Sequence, residues 1–164
     1  MTNAPVRPSR SLSRSAARLA AVQALFQHDA DATQVAQLLH EFHHHRLGMV
    51  IDDEAFADAH YAQVEVDFFD DVVRGTIEQL TMIDDAIEPR LSKGWSMARL
   101  ERTIKAILRA GTYELLARAD IPTAAIISEY VDVAKAFDAD VEAGFVNGVL
   151  DAIAKDVRAK ETGA

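Results

Sequence analysis

Apolar residues recur along this chain at spacings of three and four, the pattern of helices with one buried side. Leu19, Val22 and Phe26 mark such a face in a first helix, which Ser11 or Ser13 can cap and which should run to about His28. Arg10, Arg14 and Arg18, four residues apart, fall on another face of it. A second helix over roughly 31–46 carries Val35, Leu38, Leu39 and Phe42. Between Leu47 and about Ala62 the pattern breaks around Gly48 and the acids Asp52, Asp53, Glu54 and Asp58, which predicts a loop with one short helical turn. Phe69, Val73, Leu80, Ile83 and Ile87 then hold one long helix, closed by Pro89.

The stretch "RLSKGWS" reads as a turn around Gly94, with Ser96 capping a helix that contains Leu100, Ile104, Ile107, Leu108 and Leu115. On the other side of that helix, Arg99, Arg102, Lys105 and Arg109 lie within a sector about 120° wide. Pro122 suits the first turn of a further helix, with Ile126, Tyr130, Val133 and Phe137 inward and Glu129, Asp132 and Lys135 outward. A last helix is predicted from about Val141 to Val157. There is no β-type alternation of useful length. The fold class is therefore all-α, a compact bundle of about seven helices. Its domain is expected to span residues 12–158, after a disordered arm (1–11, with Pro5 and Pro8) and before a flexible tail (159–164).

Composition narrows the chemistry. The chain has 164 residues, 49% of them hydrophobic, which suffices for a core. It has no cysteine, which excludes disulfides, thiolate metal sites and cysteine nucleophiles. No apolar run is long enough to span a membrane and no signal peptide is legible, so a cytoplasmic protein is expected. The net charge of −9 argues against nucleic acid if taken alone. Residues 1–28, however, hold Arg7, Arg10, Arg14 and Arg18 with no acid, and residues 90–109 hold six cations against Glu101 alone. Opposite signs in separate segments give distinct faces. In "HEFHHHR", His40 and His44 are one turn apart, yet consecutive histidines cannot share a direction and no cysteine completes a site. A solvated face is the expectation, with no metal and no cofactor.

Five ordered blocks, "RSAARLAAVQALF", "IKAILRAGTYELL", "ELLARADIP", "EYVDVAKAF" and "GFVNGVLD", resemble the NusB family of bacterial transcription antitermination factors, from about Arg14 to about Ala154. The resemblance implies an all-α fold of two helical subdomains. It also implies binding of a short single-stranded RNA element, boxA, with the small-subunit ribosomal protein NusE, in an RNA polymerase antitermination complex. Arg14 and Arg18 match first-helix arginines that contact RNA, and Arg10 a basic position before them. Phe26 stands where tyrosine is common, and Gln23 and Phe145 match positions near the RNA path. Lys93 lies in the family's basic turn, and Arg109 matches an arginine of the middle helix. The protein partner is expected on Arg102, Ile104 and Lys105, with Ile104 replacing an acid of some relatives. Ser15 and Ala16 interrupt a denser arginine run, Val141 replaces a polar residue, and Ser128 an asparagine.

The physics suits these residue types, since arginines contact phosphates while splayed bases stack on aromatics. Within "GFVNGVLD", Gly144 and Gly148 are expected to allow close helix approach and Asn147 to satisfy buried backbone groups. Val146, Val149 and Leu150 read as core, and Phe145 as a partly exposed platform. Phe26 shares the face of Leu19 and Val22, so core and platform readings both stand. A NusB-like domain also occurs in ribosomal RNA cytosine methyltransferases, but that chemistry needs a glycine-rich cofactor loop and a cysteine. No enzyme is expected. The other class is a structural homodimer without direct RNA binding, which would hide the arginine face.

Overall fold

The computed structural model describes the backbone of residues 10–44 and 59–159 and the side chains of residues 14–44 and 65–159. The predicted arm before Arg10, most of the predicted acidic loop and the tail beyond 159 lie outside the described residues, as does the Arg10 side chain. Among the described residues, seven α-helices follow in order: α1 (Arg10–Asp31), α2 (Val35–Phe42), α3 (Ala59–Glu78), α4 (Leu80–Ile87), α5 (Arg102–Ala117), α6 (Thr123–Ala136) and α7 (Asp140–Val157). Two 3₁₀ turns, Glu88–Arg90 and Met97–Arg99, join α4 to α5. No strand occurs among the described residues.

Helix α5 is the axis. Residues Ala110 to Leu115 are buried on every side, which an amphipathic surface helix never shows. Around it pack α1 and α3 on one side and α4, α6 and α7 on the other. The close approaches fall at glycines other than those the sequence suggested. A Cβ at Gly111 would stand 3.0 Å from Leu150 Cδ1, and one at Gly75 only 2.2 Å from Tyr113 Cζ. Gly144 and Gly148 face open space, and Asn147 between them is exposed. The expected packing role of these three residues is thus corrected: Val146, Val149 and Leu150 face inward, and the weak helix formers line the wet side.

Local chemistry sets the element ends. The predicted long helix is divided at Gln79 (φ −108°, ψ 24°) into α3 and α4. Ser96 makes no cap bond; Glu101 caps α5 instead, accepting from the backbone N–H of Thr103 (3.1 Å) and Ile104 (3.4 Å). At the other end of α5, buried Arg158 donates to the carbonyls of Glu114, Leu115 and Arg118, adding to the Arg118 N–H that Glu114 O already accepts and the Ile121 N–H that Arg118 O accepts. Ala32 ends α1 in the left-handed region (φ 56°), its N–H bonded to His28 O at 2.8 Å.

Candidate nucleic-acid interface

The first basic patch divides on folding. Arg18 is only 3% exposed, so its expected place on the wet side is overturned. Its Nε and Nη2 donate to the two oxygens of Glu114, each at 2.9 Å, and the Tyr130 hydroxyl donates to the same carboxylate. Glu114 and Tyr130 are wholly buried. Burial works to lower the Arg18 guanidinium, yet the hydrogen bond and charge of Glu114 outweigh it and hold it above its ordinary value. Burial, then the Glu114 charge, raise the Tyr130 hydroxyl well above the usual range. Arg18 therefore holds α1 to α5 and α6 and presents no donor fork to a phosphate. Arg14, one turn earlier, is half-buried, with its guanidinium 5.0 Å from the centre of the Phe68 ring.

Further along α1, Gln23 is half-buried and Phe26 is 39% exposed, so Phe26 is not part of the buried core. The face Phe26 shares with Val22 opens at its end into a groove of about 410 Å³, lined by Val22, Gln23, Phe26, Phe42, Thr103 and Phe137 among others. Phe145 of α7 is half-buried and packed against the core with part of its ring reachable.

The second basic patch is engaged by carboxylates. Arg109 holds Asp84 in a fork (2.9 Å and 2.9 Å) and reaches Asp29 at 3.4 Å. Lys105 lies 3.4 Å and Arg102 3.6 Å from the same Asp29. Ile104, expected to meet a protein partner, is 4% exposed and packs inward, because it follows the Leu108 stripe rather than the Arg102 and Lys105 sector. Lys93 is exposed in the turn where Gly94 adopts φ 93°, and Arg99 Nη1 donates to Gly94 O at 2.8 Å. Beside them Trp95 is exposed, an aromatic among cations that spacing alone did not mark. Arg118 was likewise not foreseen. It binds Asp120 through Nε and Nη2 (3.0 Å each) and Asp71 through Nη1 (3.0 Å), and the Arg118 bond holds the Asp120 carboxyl down at about 2. The histidine run gives a different contact: His43 Nε2 and Asp70 Oδ1 are 2.6 Å apart, while the His40 and His44 rings lie 4.3 Å apart. Among the described residues, no group of three or more His, Asp or Glu is placed to hold a metal ion, and no helix is long and apolar enough to cross a membrane.

These features define a class: an all-α protein that leaves aromatics and cations reachable at its surface, residue types that suit a single-stranded polyanion. The chain belongs to the NusB family, whose model matches residues 15–155. The transcription antitermination protein NusB of Sphingopyxis alaskensis is 63% identical over 151 residues, covering 92% of this chain and 98% of that protein. The protein of the same description from Novosphingobium aromaticivorans is 55% identical over 145 residues, covering 88% and 95%. The solved structure of T. maritima NusB is 37% identical, covers 87% of this chain and 90% of its own, and superposes with a TM-score of 0.69. A structure of the antitermination factors NusB and NusE in complex with dsRNA shares the fold (TM-score 0.70, 24% identity, 88% and 97% covered).

Proposed function

We propose that this protein acts by binding rather than by catalysis, as an RNA-binding factor for transcription antitermination of ribosomal RNA operons. It holds boxA-type single-stranded RNA together with the ribosomal protein NusE, in the cytoplasm, where RNA polymerase works. The observation that carries the reading is Phe26: a large aromatic left open at the mouth of a groove, in a helix whose neighbouring Val22 and Leu25 are buried. Its relatives' shared description supports the role. In this reading a base stacks on Phe26 with Gln23 beside it, Phe145 offers a second ring face, and Arg14 and Lys93 serve the backbone.

The test is a titration of boxA-like and scrambled RNA, with and without saturating NusE. NusE should tighten RNA binding by the factor by which RNA tightens NusE binding. Phe26→Ala should cost about 1–3 kcal/mol of RNA affinity, the worth of one stacked base. Equal affinity for the two RNAs in both conditions would overturn the reading.

A further inference from the structure

The outer face of α5 holds three cations around one carboxylate. Asp29, in the last turn of α1, lies 3.4 Å from Lys105, 3.4 Å from Arg109 and 3.6 Å from Arg102. None of these reaches the 2.7–2.9 Å of a tight charge-assisted hydrogen bond. Asp84 does, at 2.9 Å on both arms of Arg109, so the tight pairing in this cluster belongs to Asp84. Asp29 is instead shared loosely among three partners, and its side chain is 23% exposed. Arg102 is 55% exposed and can swing outward, whereas Lys105 and Arg109 are held closer in. The three cations exceed the two carboxylates by one positive charge.

The position matters as much as the charge. Ala30 and Thr103, the chain neighbours of Asp29 and Arg102, line the groove that Phe26 opens. A nucleotide whose base enters that groove brings its own phosphate to the rim where Asp29 sits. A phosphodiester carries one charge over two non-bridging oxygens, as a carboxylate does.

We infer that the Asp29 carboxylate is a built-in stand-in for an RNA phosphate: it occupies the Arg102–Lys105–Arg109 cluster in the free protein and yields it to the backbone of bound RNA. The inference rests on the proposed RNA reading for its natural ligand. It moves Arg102 and Lys105 from the protein partner to RNA and gives Asp29 a role in setting affinity. While Asp29 is in place, any polyanion meets one net positive charge there instead of two, so the lone protein holds generic polyanions weakly.

Asp29→Asn keeps the shape of the side chain and removes the charge. Titrations of boxA-like RNA and of sodium tripolyphosphate over a range of salt should show the variant binding each about three- to tenfold more tightly at low salt. The slope of log affinity against log salt for RNA should steepen by about 0.7–1.4, one or two added contacts. Adding Arg102→Gln and Lys105→Gln should abolish the gain. Unchanged or weaker binding by a variant that melts like the wild type would overturn the inference, since Asp29 would then only position the cations. Should Asp29→Asn lower the melting temperature, the wild-type protein carries the test: tripolyphosphate must shift the side-chain N–H resonances of Arg102 and Lys105 and leave those of Arg158 in place. An unshifted pair overturns the inference. A gain for tripolyphosphate with no RNA binding by either protein would uphold the site and overturn the proposed function. RNA binding by the wild type with no gain in the variant does the reverse.

Discussion

Replacing Arg18 by alanine tests the assignment of that residue to the core. The substitution removes both Arg18 donors from Glu114 and leaves a wholly buried carboxylate bonded by the Tyr130 hydroxyl. It also removes the guanidinium from the Phe68 ring, 4.9 Å away, and from Glu129, 3.6 Å away. Breaking a buried pair on one side costs about 3–5 kcal/mol, because the surviving charge keeps its desolvation penalty. For a chain of this size that is roughly 6–20 °C in melting temperature. An arginine on the wet side would cost within about 0.5 kcal/mol. Urea unfolding followed by circular dichroism separates these values directly. Replacing both partners, Arg18→Leu with Glu114→Leu, should cost less than Arg18→Ala alone, since no buried charge is then stranded. A loss under about 1 kcal/mol for Arg18→Ala would refute the argument.

Other expectations follow from single positions. Gly75→Ala places a methyl 2.2 Å from the Tyr113 ring, which is tied to Asp71 through its hydroxyl at 2.6 Å, so a loss of about 1–3 kcal/mol in a denaturant melt is expected; unchanged stability would mean the ring moves aside freely. Ala32→Gly relieves a left-handed residue at the end of α1 and should stabilise by roughly 0.5–1 kcal/mol, whereas a destabilised variant would show that the Ala32 backbone carries no strain. Asp120 is held at about 2 against 3.8 for an ordinary aspartate, so its contribution is present above pH 4 and is lost as pH falls toward 2. Asp120→Asn should therefore flatten stability against pH in that window alone, by a small amount given its exposure, and identical profiles would count against the Arg118 pairing.

Apolar periodicity placed the helices well because burial of one face is a local property of the sequence. The stripe Ile126, Tyr130 and Val133 is buried as its spacing requires, and α7 spans Asp140–Val157 against a predicted 141–157. The boundaries that moved are those set by single hydrogen bonds or dihedrals, such as the Glu101 cap and the break at Gln79. The "GFVNGVLD" segment misled for a clearer reason. Gly144, Asn147 and Gly148 are spaced three, one and four apart, which is itself a helical stripe, and a stripe says that residues share a side without saying which side. Here they take the outer one, while the glycines that permit close contact, Gly75 and Gly111, sit where Tyr113 and Leu150 press on the backbone.

Charge was harder to read than apolarity because its outcome depends on residues far away in the chain. Arg18 meets Glu114 across 96 positions, Arg118 meets Asp71 across 47, and Arg109 meets Asp84 across 25. No count of cations on a helix face reveals such a partner. The counting has a functional consequence, since each phosphate contact by a free cation adds to affinity and to its salt dependence. With Arg18 committed to Glu114 and Arg109 to Asp84, the candidate surface keeps Lys93, Arg99 and Arg102 as its most open cations. Three such charges on an acidic body supply little attraction at physiological ionic strength, where the Debye length is about 8 Å. In the proposed function, stacking on Phe26 and Phe145 must then carry a larger share of the binding energy than the arginine pattern suggested. A basic protein partner that extends the positive surface beside them becomes a physical requirement of the proposed function.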